Sequence, residues 1–424
     1  MHVRHPIWLR KIATPSAEAF AVLFAIESMS RALLTAVIPI EAYNLLGHAS
    51  LVSLAFFVAS CFGLVSGLTA PWLIRRIARR RVYTLGALLL AGAGGLFMLG
   101  GATAQVGAMT FRVVGIVAAT VCVNLYIMDN IPRGELSHAE PKRIFYSAGA
   151  WTVGPALGVY LRTEFGEWVP YLASSLCALA MLGYFWFLKM TERPIFSARS
   201  RRAPGVLENV RQFAAQPRMV FAWLIAIGRN GWWAMFFVYT PIYAVQSGLG
   251  EVAGGMVLSI GTGFLFLMPV WGWCVRRYGM RRMLIIGFTL SAWGTLMVAV
   301  FYAQPWLAMA CLLVAAMAMV MLDATGSLPF MLAVRPGQRA EMTAVYSTYR
   351  DAAETVPPGL FSLLLRVFEL PVVFIGGGIG MLALALLSRR SHPRLGIPRL
   401  FETRQGASEG IPAPSGAAPG RTRR

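Results

Sequence analysis

Long apolar runs separated by short polar stretches divide this chain into twelve segments, near 17–42, 51–74, 82–102, 106–130, 143–162, 167–188, 219–245, 252–275, 283–303, 306–329, 341–364 and 371–388. Each run has roughly the 20-residue length that carries a helix across a hydrocarbon core of about 30 Å. The alternation of a barrel strand is found in none of them. The pattern predicts an all-α polytopic membrane protein with twelve transmembrane helices.

Basic residues then orient the bundle. Lys and Arg crowd the N-terminus, the 75–81 loop, Arg133 to Arg143, Lys189 to Arg218, the 276–282 loop, Arg335 to Arg339 and the tail after Arg389. The alternate loops hold only Arg366, with Arg162 at a boundary. Cytoplasmic loops carry this excess, so both termini are expected in the cytoplasm. The expected organisation is a cytoplasmic segment 1–16, a six-helix bundle 17–188, a central cytoplasmic loop 189–218, a second bundle 219–388 and a disordered basic tail 389–424. An amphipathic stretch near Val206 to Phe213 is expected to lie on the membrane surface.

The two bundles repeat. Arg75-Arg76-Ile77-Ala78-Arg79-Arg80-Arg81 recurs 201 positions later as Arg276-Arg277-Tyr278-Gly279-Met280-Arg281-Arg282. Ile38-Pro39-Ile40 matches Thr240-Pro241-Ile242, and Tyr146-Ser147-Ala148 matches Tyr346-Ser347-Thr348. Glu27 and Arg229 occupy nearly equivalent places. Several matches in order at almost one offset mark a pseudo-symmetric duplication.

Composition agrees. The 424 residues are 57% hydrophobic and 13% charged, against about 25% charged in a soluble domain. The formal charge of +20 falls on one side of the membrane, where it attracts anionic headgroups and not nucleic acid. The five cysteines, Cys61, Cys122, Cys177, Cys274 and Cys311, sit inside apolar runs and read as free packed thiols. No secretory signal peptide is expected, because the run from Ala17 is too long for an h-region.

Two six-helix halves, basic loops after spans 2 and 8 and a long central loop resemble the major facilitator superfamily over about residues 15–390. That family's loop motif runs Gly-x-x-x-Asp-Arg-x-Gly-Arg-Arg. The second half is similar, with Gly272, Arg276, Arg277 and Gly279, and the first half carries Arg75 and Arg76. Arg75 and Arg276 stand where the family places its gating carboxylate. Span 4 carries Arg112-Val113-Val114-Gly115, and span 5 carries Gly154, Pro155 and Gly158. Both are similar to motifs of the drug:proton antiporter branch. The resemblance implies a multi-pass protein of the bacterial inner membrane. It also implies that helices 1, 4, 7 and 10 line a central cavity bordered by helix 11.

Ionisable residues inside a bilayer cost at least about 2.5–3.5 kcal/mol and mark function by default. They occur here as Glu27 and Arg31 in span 1, Arg112 in span 4, Arg229 in span 7, and Arg350, Asp351 and Glu354 in span 11. Asp129 and Asp323 lie near helix ends, where water or loop arginines can reach them. Glu27–Arg31 and Arg350–Glu354 have the four-residue spacing of helical pairs, and the repeat suggests that Glu27 faces Arg229. Glu27, Glu354 and Asp351 are the proton-carrier candidates. Arg31, Arg112, Arg229 and Arg350 are candidates for an anionic substrate group. The aromatic cluster of span 7, including Trp232, Trp233, Phe236 and Phe237, reads mainly as packing.

The expected function is secondary active transport of a small organic solute, coupled to protons, by alternating access. The span-5 motif favours efflux over uptake. A non-transporting scaffold or sensor is the alternative. An enzyme is not expected, since all five histidines lie in loops or termini, and no Gly-x-x-x-x-Gly-Lys-Ser/Thr sequence suggests ATP coupling. The expected partners are a small-molecule substrate, protons and membrane lipids. No cofactor, metal or nucleic acid is expected, and the chain is expected to act as a monomer.

Overall fold

A computed structural model describes residues 17–130, 136–188, 206–326, 328–334 and 339–389. The segment 1–16, most of the central loop and the basic tail lie outside the described residues. The described chain is helical, without a strand. Span 1 comprises Ala17–Ala32 and Val37–Leu46. Spans 2 to 6 are Ala49–Ile77, Arg79–Met98, Ala102–Asn130, Leu136–Phe165 and Val169–Phe187. The amphipathic stretch forms the helix Val206–Ala214, and span 7 is Pro217–Gln246. Span 8 is Glu251–Gly263, a 3-10 turn Phe264–Leu267 and Met268–Tyr278. Spans 9 and 10 are Met280–Val300 and Pro305–Asp323. Span 11 is Arg339–Ser347 with Tyr349–Leu364, and span 12 is Pro371–Arg389. Large apolar side chains such as Leu68, Phe187 and Trp273 are exposed around the bundle, as a surface wetted by lipid requires. The chain is a multi-pass integral membrane protein.

The breaks in spans 1, 8 and 11 have local causes. Pro39 lacks the N–H that would bond the carbonyl of Thr35, and span 1 passes through a turn at 33–36. Pro269 does the same just after the 3-10 turn of span 8. In span 11, read from sequence as one helix, the Thr348 hydroxyl donates to the Val345 carbonyl at 2.8 Å and competes with the helical ladder. A short helix, Leu328–Ala333, follows span 10 and had no signal of its own.

The halves meet along two repeat-related seams. Span 5 packs on span 8, and span 2 on span 11. Small residues permit close approach, as membrane helices need in place of a hydrophobic drive. At the span 5–span 8 seam a Cβ on Gly255 would crowd Val159 and the Pro155 carbonyl, and inside the first half a Cβ at Gly158 would run into the Leu33 backbone and one at Gly154 into Ala32. Within the first half, the Ser30 hydroxyl donates to the Ser174 carbonyl at 2.9 Å and the Ser174 hydroxyl to the Ser30 carbonyl at 2.7 Å. Tyr83 stacks on Phe185 at 3.9 Å in the core of that half.

The two basic turns share one backbone shape. Ala78 has φ 69° and ψ 146°, and Gly279 has φ 86° and ψ 145°. Both end a helix and begin the next without a loop. Glycine tolerates that region; alanine holds it under strain.

Candidate functional site

On the face opposite the basic turns, the halves are zipped together. Arg162 at the end of span 5 is buried, and its Nη1 lies 2.6 Å from the Glu41 carboxylate of span 1. Its Nε donates to Glu251 of span 8 at 2.9 Å, and Nη2 lies 3.6 Å from Glu167. Glu251 belongs to the other half, so this guanidinium ties the halves together. Gln246 donates to the Tyr43 hydroxyl at 2.8 Å, and Tyr302 donates to Gln246 at 3.2 Å. Deeper, the hydroxyls of Ser53 and Tyr239 lie 2.6 Å apart, the Ala156 N–H donates to Ser259 at 2.9 Å, and Thr262 donates to the Trp151 carbonyl at 2.7 Å. Among the described residues, these cross-half bonds run from that face to about the middle of the bundle. A polar cavity of about 550 Å³ lies outside this zipper, lined by Tyr43, His48, Gln246, Tyr302 and Glu369 among others.

Below the zipper the predicted charges gather. Glu27 is 1% exposed. Its nearest cation is Arg31 at 3.7 Å, and the Thr120 hydroxyl reaches it only at 3.4 Å. This carboxylate is buried with loose partners. Arg112 donates to the Arg31 carbonyl at 2.9 Å, which fixes span 4 against span 1. The Nε donors of both Arg31 and Arg112 are buried and make no hydrogen bond within the protein. Arg31 also sits 5.7 Å from the Trp151 ring, which stacks on Phe237 of the other half at 5.5 Å.

Span 11 supplies the opposite charge. Glu354 is exposed and interacts electrostatically with Arg31 and Arg112 of the first half, and with Arg350 and Asp351 of its own. It makes no hydrogen bond or ion pair among the described residues. The expected Arg350–Glu354 pair is therefore not formed. Arg350 lies in the first turn after the break at Thr348 and donates to the Tyr349 hydroxyl at 3.3 Å. The Thr355 hydroxyl beside Glu354 is buried without a partner.

The second half holds a different node. Arg229 Nε lies 3.0 Å from Asp323 Oδ1, and the Trp233 indole donates to Asp323 Oδ2 at 2.9 Å. Arg229 also donates to the Gly326 carbonyl at 3.2 Å. Both carboxylate oxygens are occupied, and the node braces the turn that closes span 10. The expectation that Glu27 faces Arg229 is corrected: Arg229 is taken by Asp323 of its own half. Below the zipper, each half thus brings an acid–Arg pair among its described residues, Arg229–Asp323 tight in the second and Glu27–Arg31 loose in the first.

The motif residues take structural positions. Arg276 and Arg277 close the Met268–Tyr278 helix, where cations suit the carbonyl end. Gly272 lies one turn earlier, and Gly279 supplies the positive φ of the turn. Arg76 stacks over Trp72 at 4.6 Å; the side chains of Arg75 and Asp129 lie outside the described residues. Pro155 offers its carbonyl near Gly255, and a Cβ there would crowd it. Sequence reasoning passed over Arg162 and placed Asp323 at a solvated helix end. The available signal for Arg162 was its solitude: one cation beside Glu41, Glu167 and Glu251 on a face otherwise nearly free of Lys and Arg. Among the described residues no group of three His, Cys, Asp or Glu side chains is placed to hold a metal.

The family model described as Major Facilitator Superfamily matches residues 20–353. Comparison with curated proteins gives no match. Among solved structures, a peptide transporter POT in complex with sulfate superposes with a TM-score of 0.69 at 14% identity, covering 89% of this chain and 95% of that one. A D-xylose-proton symporter gives 0.67 at 14% identity, covering 89% and 97%. These likenesses establish a shared fold.

Proposed function

The chain belongs to the major facilitator superfamily, and from that premise we propose that it is a proton-coupled secondary transporter of a small organic solute carrying an anionic group. The observation that carries this reading is the pairing of a closed outer face with a charged site beneath it. Arg162 and its neighbours hold the halves together on one side, while Arg31, Arg112 and Glu354 from opposite halves interact electrostatically below. Rocking the halves about that site is alternating access. The excess of Lys and Arg on the side of the basic turns supports a cytoplasmic placement of that side in a bacterial cell, with both termini inside.

Two guanidinium groups with unused donors suit a carboxylate, phosphate or sulfate group. Glu27, deeply buried and loosely paired, is the leading proton carrier, followed by Glu354 and Asp351. Asp323 is already saturated by Arg229 and Trp233 and serves the fold. The span-5 glycines that favoured efflux have a packing role against span 1, so they do not fix direction. The solved relatives named for peptide transport and for D-xylose–proton symport support a small polar solute moved with protons.

The test is a ligand screen on the purified protein by thermal shift, since a binder selective for the folded state raises its apparent stability. Hits from organic anions, with neutral and cationic analogues inactive, are expected. Hits confined to lipophilic cations would overturn the substrate class.

A further inference from the structure

The polar cavity of about 550 Å³ on the face opposite the basic turns is built by both halves. Tyr43 and His48 come from the first half, at the end of span 1 and the start of span 2. Gln246, Tyr302, Phe368 and Glu369 come from the second. The Glu369 carboxylate is exposed and makes no hydrogen bond or ion pair among the described residues. Its charge still reaches the Tyr302 hydroxyl. The His48 imidazole is exposed too and makes no cap bond to span 2. We propose that this cavity binds a small organic ammonium ion, held by Glu369 of one half and by Tyr43 and His48 of the other, and that the bound ion staples the halves together on this face.

The lining selects the sign of the ligand. It holds a carboxylate and neither Lys nor Arg. Carboxylates also prevail across this face, with Glu41, Glu164, Glu167, Glu251 and Glu369 against Arg162 and Arg366. Arg162 is engaged by Glu41 and Glu251. Arg366, in the same loop as Glu369, makes no ion pair with it among the described residues. A face of that sign concentrates cations. The rings of Tyr43, Tyr302 and Phe368 add attraction for an organic ammonium. A divalent metal needs more, since Ca²⁺ takes about six to eight oxygen ligands and the described residues offer no group of three metal-binding side chains. The Gln246 amide already bonds the Tyr43 hydroxyl across the halves at 2.8 Å, so the two walls face each other only while this face is closed. A ligand that touches both walls binds that state and shifts the halves towards it. This ligand is separate from the anionic solute proposed below the zipper, and only the staple rests on the transport reading. The cavity heads the seam of spans 2 and 11, so the ammonium can come from a free amine or from an ethanolamine lipid headgroup.

The test of the site is ligand-observed saturation-transfer NMR on the full-length protein in dodecyl maltoside at about pH 8, where an alkylamine is charged and imidazole is neutral. The probe is n-butylammonium chloride, and n-butanol and sodium butyrate are the controls. Binding of the ammonium alone is expected, weakened about tenfold or more in Glu369→Gln and retained in Glu369→Asp, which keeps the charge. Short-chain phosphatidylethanolamine that displaces the probe assigns the site to a lipid headgroup, and failure to displace it assigns a free amine. No butylammonium signal, an equal signal from butanol, or a signal unchanged in Glu369→Gln overturns the site. The staple is read in right-side-out vesicles, with Ser53→Cys in a cysteine-free Glu251→Gln protein. Butylammonium at about ten times its dissociation constant is expected to slow labelling by an impermeant maleimide about tenfold. Binding without slowing overturns the staple and keeps the site. A face that never labels even without the amine overturns the rocking of the transport reading, and the staple with it.

Discussion

Arg162 and Glu251 join the two halves by a 2.9 Å charged hydrogen bond, and Arg162 is simultaneously held by Glu41 of its own half. The bond to Glu251 must break whenever the halves part on that face, whereas the bond to Glu41 travels with its half. Charged hydrogen bonds contribute about 1.5–3 kcal/mol. Glu251→Gln is therefore expected to raise outer-face opening by about tenfold or more. In a cysteine-free background, labelling of Ser53→Cys by an impermeant maleimide added outside reports it, since Ser53 lies buried beneath the latch against Tyr239. An unchanged labelling rate would mean that Arg162 is not a latch.

The buried pairs of the two halves are expected to respond differently to neutralisation. Asp323→Asn strands Arg229, which is 9% exposed in its side chain, and should cost roughly 3–5 kcal/mol. Glu27→Gln frees an Arg31 that already reaches open space, and should cost far less. Thermal unfolding of both variants in one detergent compares them. Equal losses would make Glu27–Arg31 a structural pair too.

Turn strain gives a prediction of opposite sign in the two repeats. Ala78→Gly relieves a positive-φ alanine and should raise stability by roughly 1 kcal/mol, while Gly279→Ala should lower it by a similar amount or more. Midpoint shifts in thermal unfolding read both directions.

Much of this fold was legible because membrane spans announce themselves by length. The twelve runs, the basic side and the repeat all came from pattern, and Glu27–Arg31 came from helical spacing. What stayed hidden depended on which helix lies beside which. Arg229 sat at the repeat position of Glu27, yet its partner Asp323 lies 94 residues away on span 10. Arg350–Glu354 had the right spacing within one helix, yet the Arg350 guanidinium turns to Tyr349 instead. Arg162 draws its carboxylates from three separate elements, a convergence that no local pattern shows.

The span-5 glycines are expected to matter for packing wherever the chain runs close. Gly158→Ala meets the Leu33 backbone and should cost roughly 1–3 kcal/mol. Gly149→Ala, in the same helix with nothing near its missing Cβ, should be neutral or stabilising by roughly 0.5–1 kcal/mol. Thermal midpoints of the two variants side by side would expose a motif conserving chemistry and not shape, if Gly158→Ala folded normally and lost only transport.

Proton flux into proteoliposomes carrying an internal pH dye tests the central claim most directly. Sulfate, succinate, a neutral dipeptide and D-xylose are added outside in turn, without an imposed gradient. Anion-dependent acidification is predicted in the wild type and is predicted to vanish in Glu27→Gln. Flux that continued undiminished in both Glu27→Gln and Glu354→Gln would contradict the account.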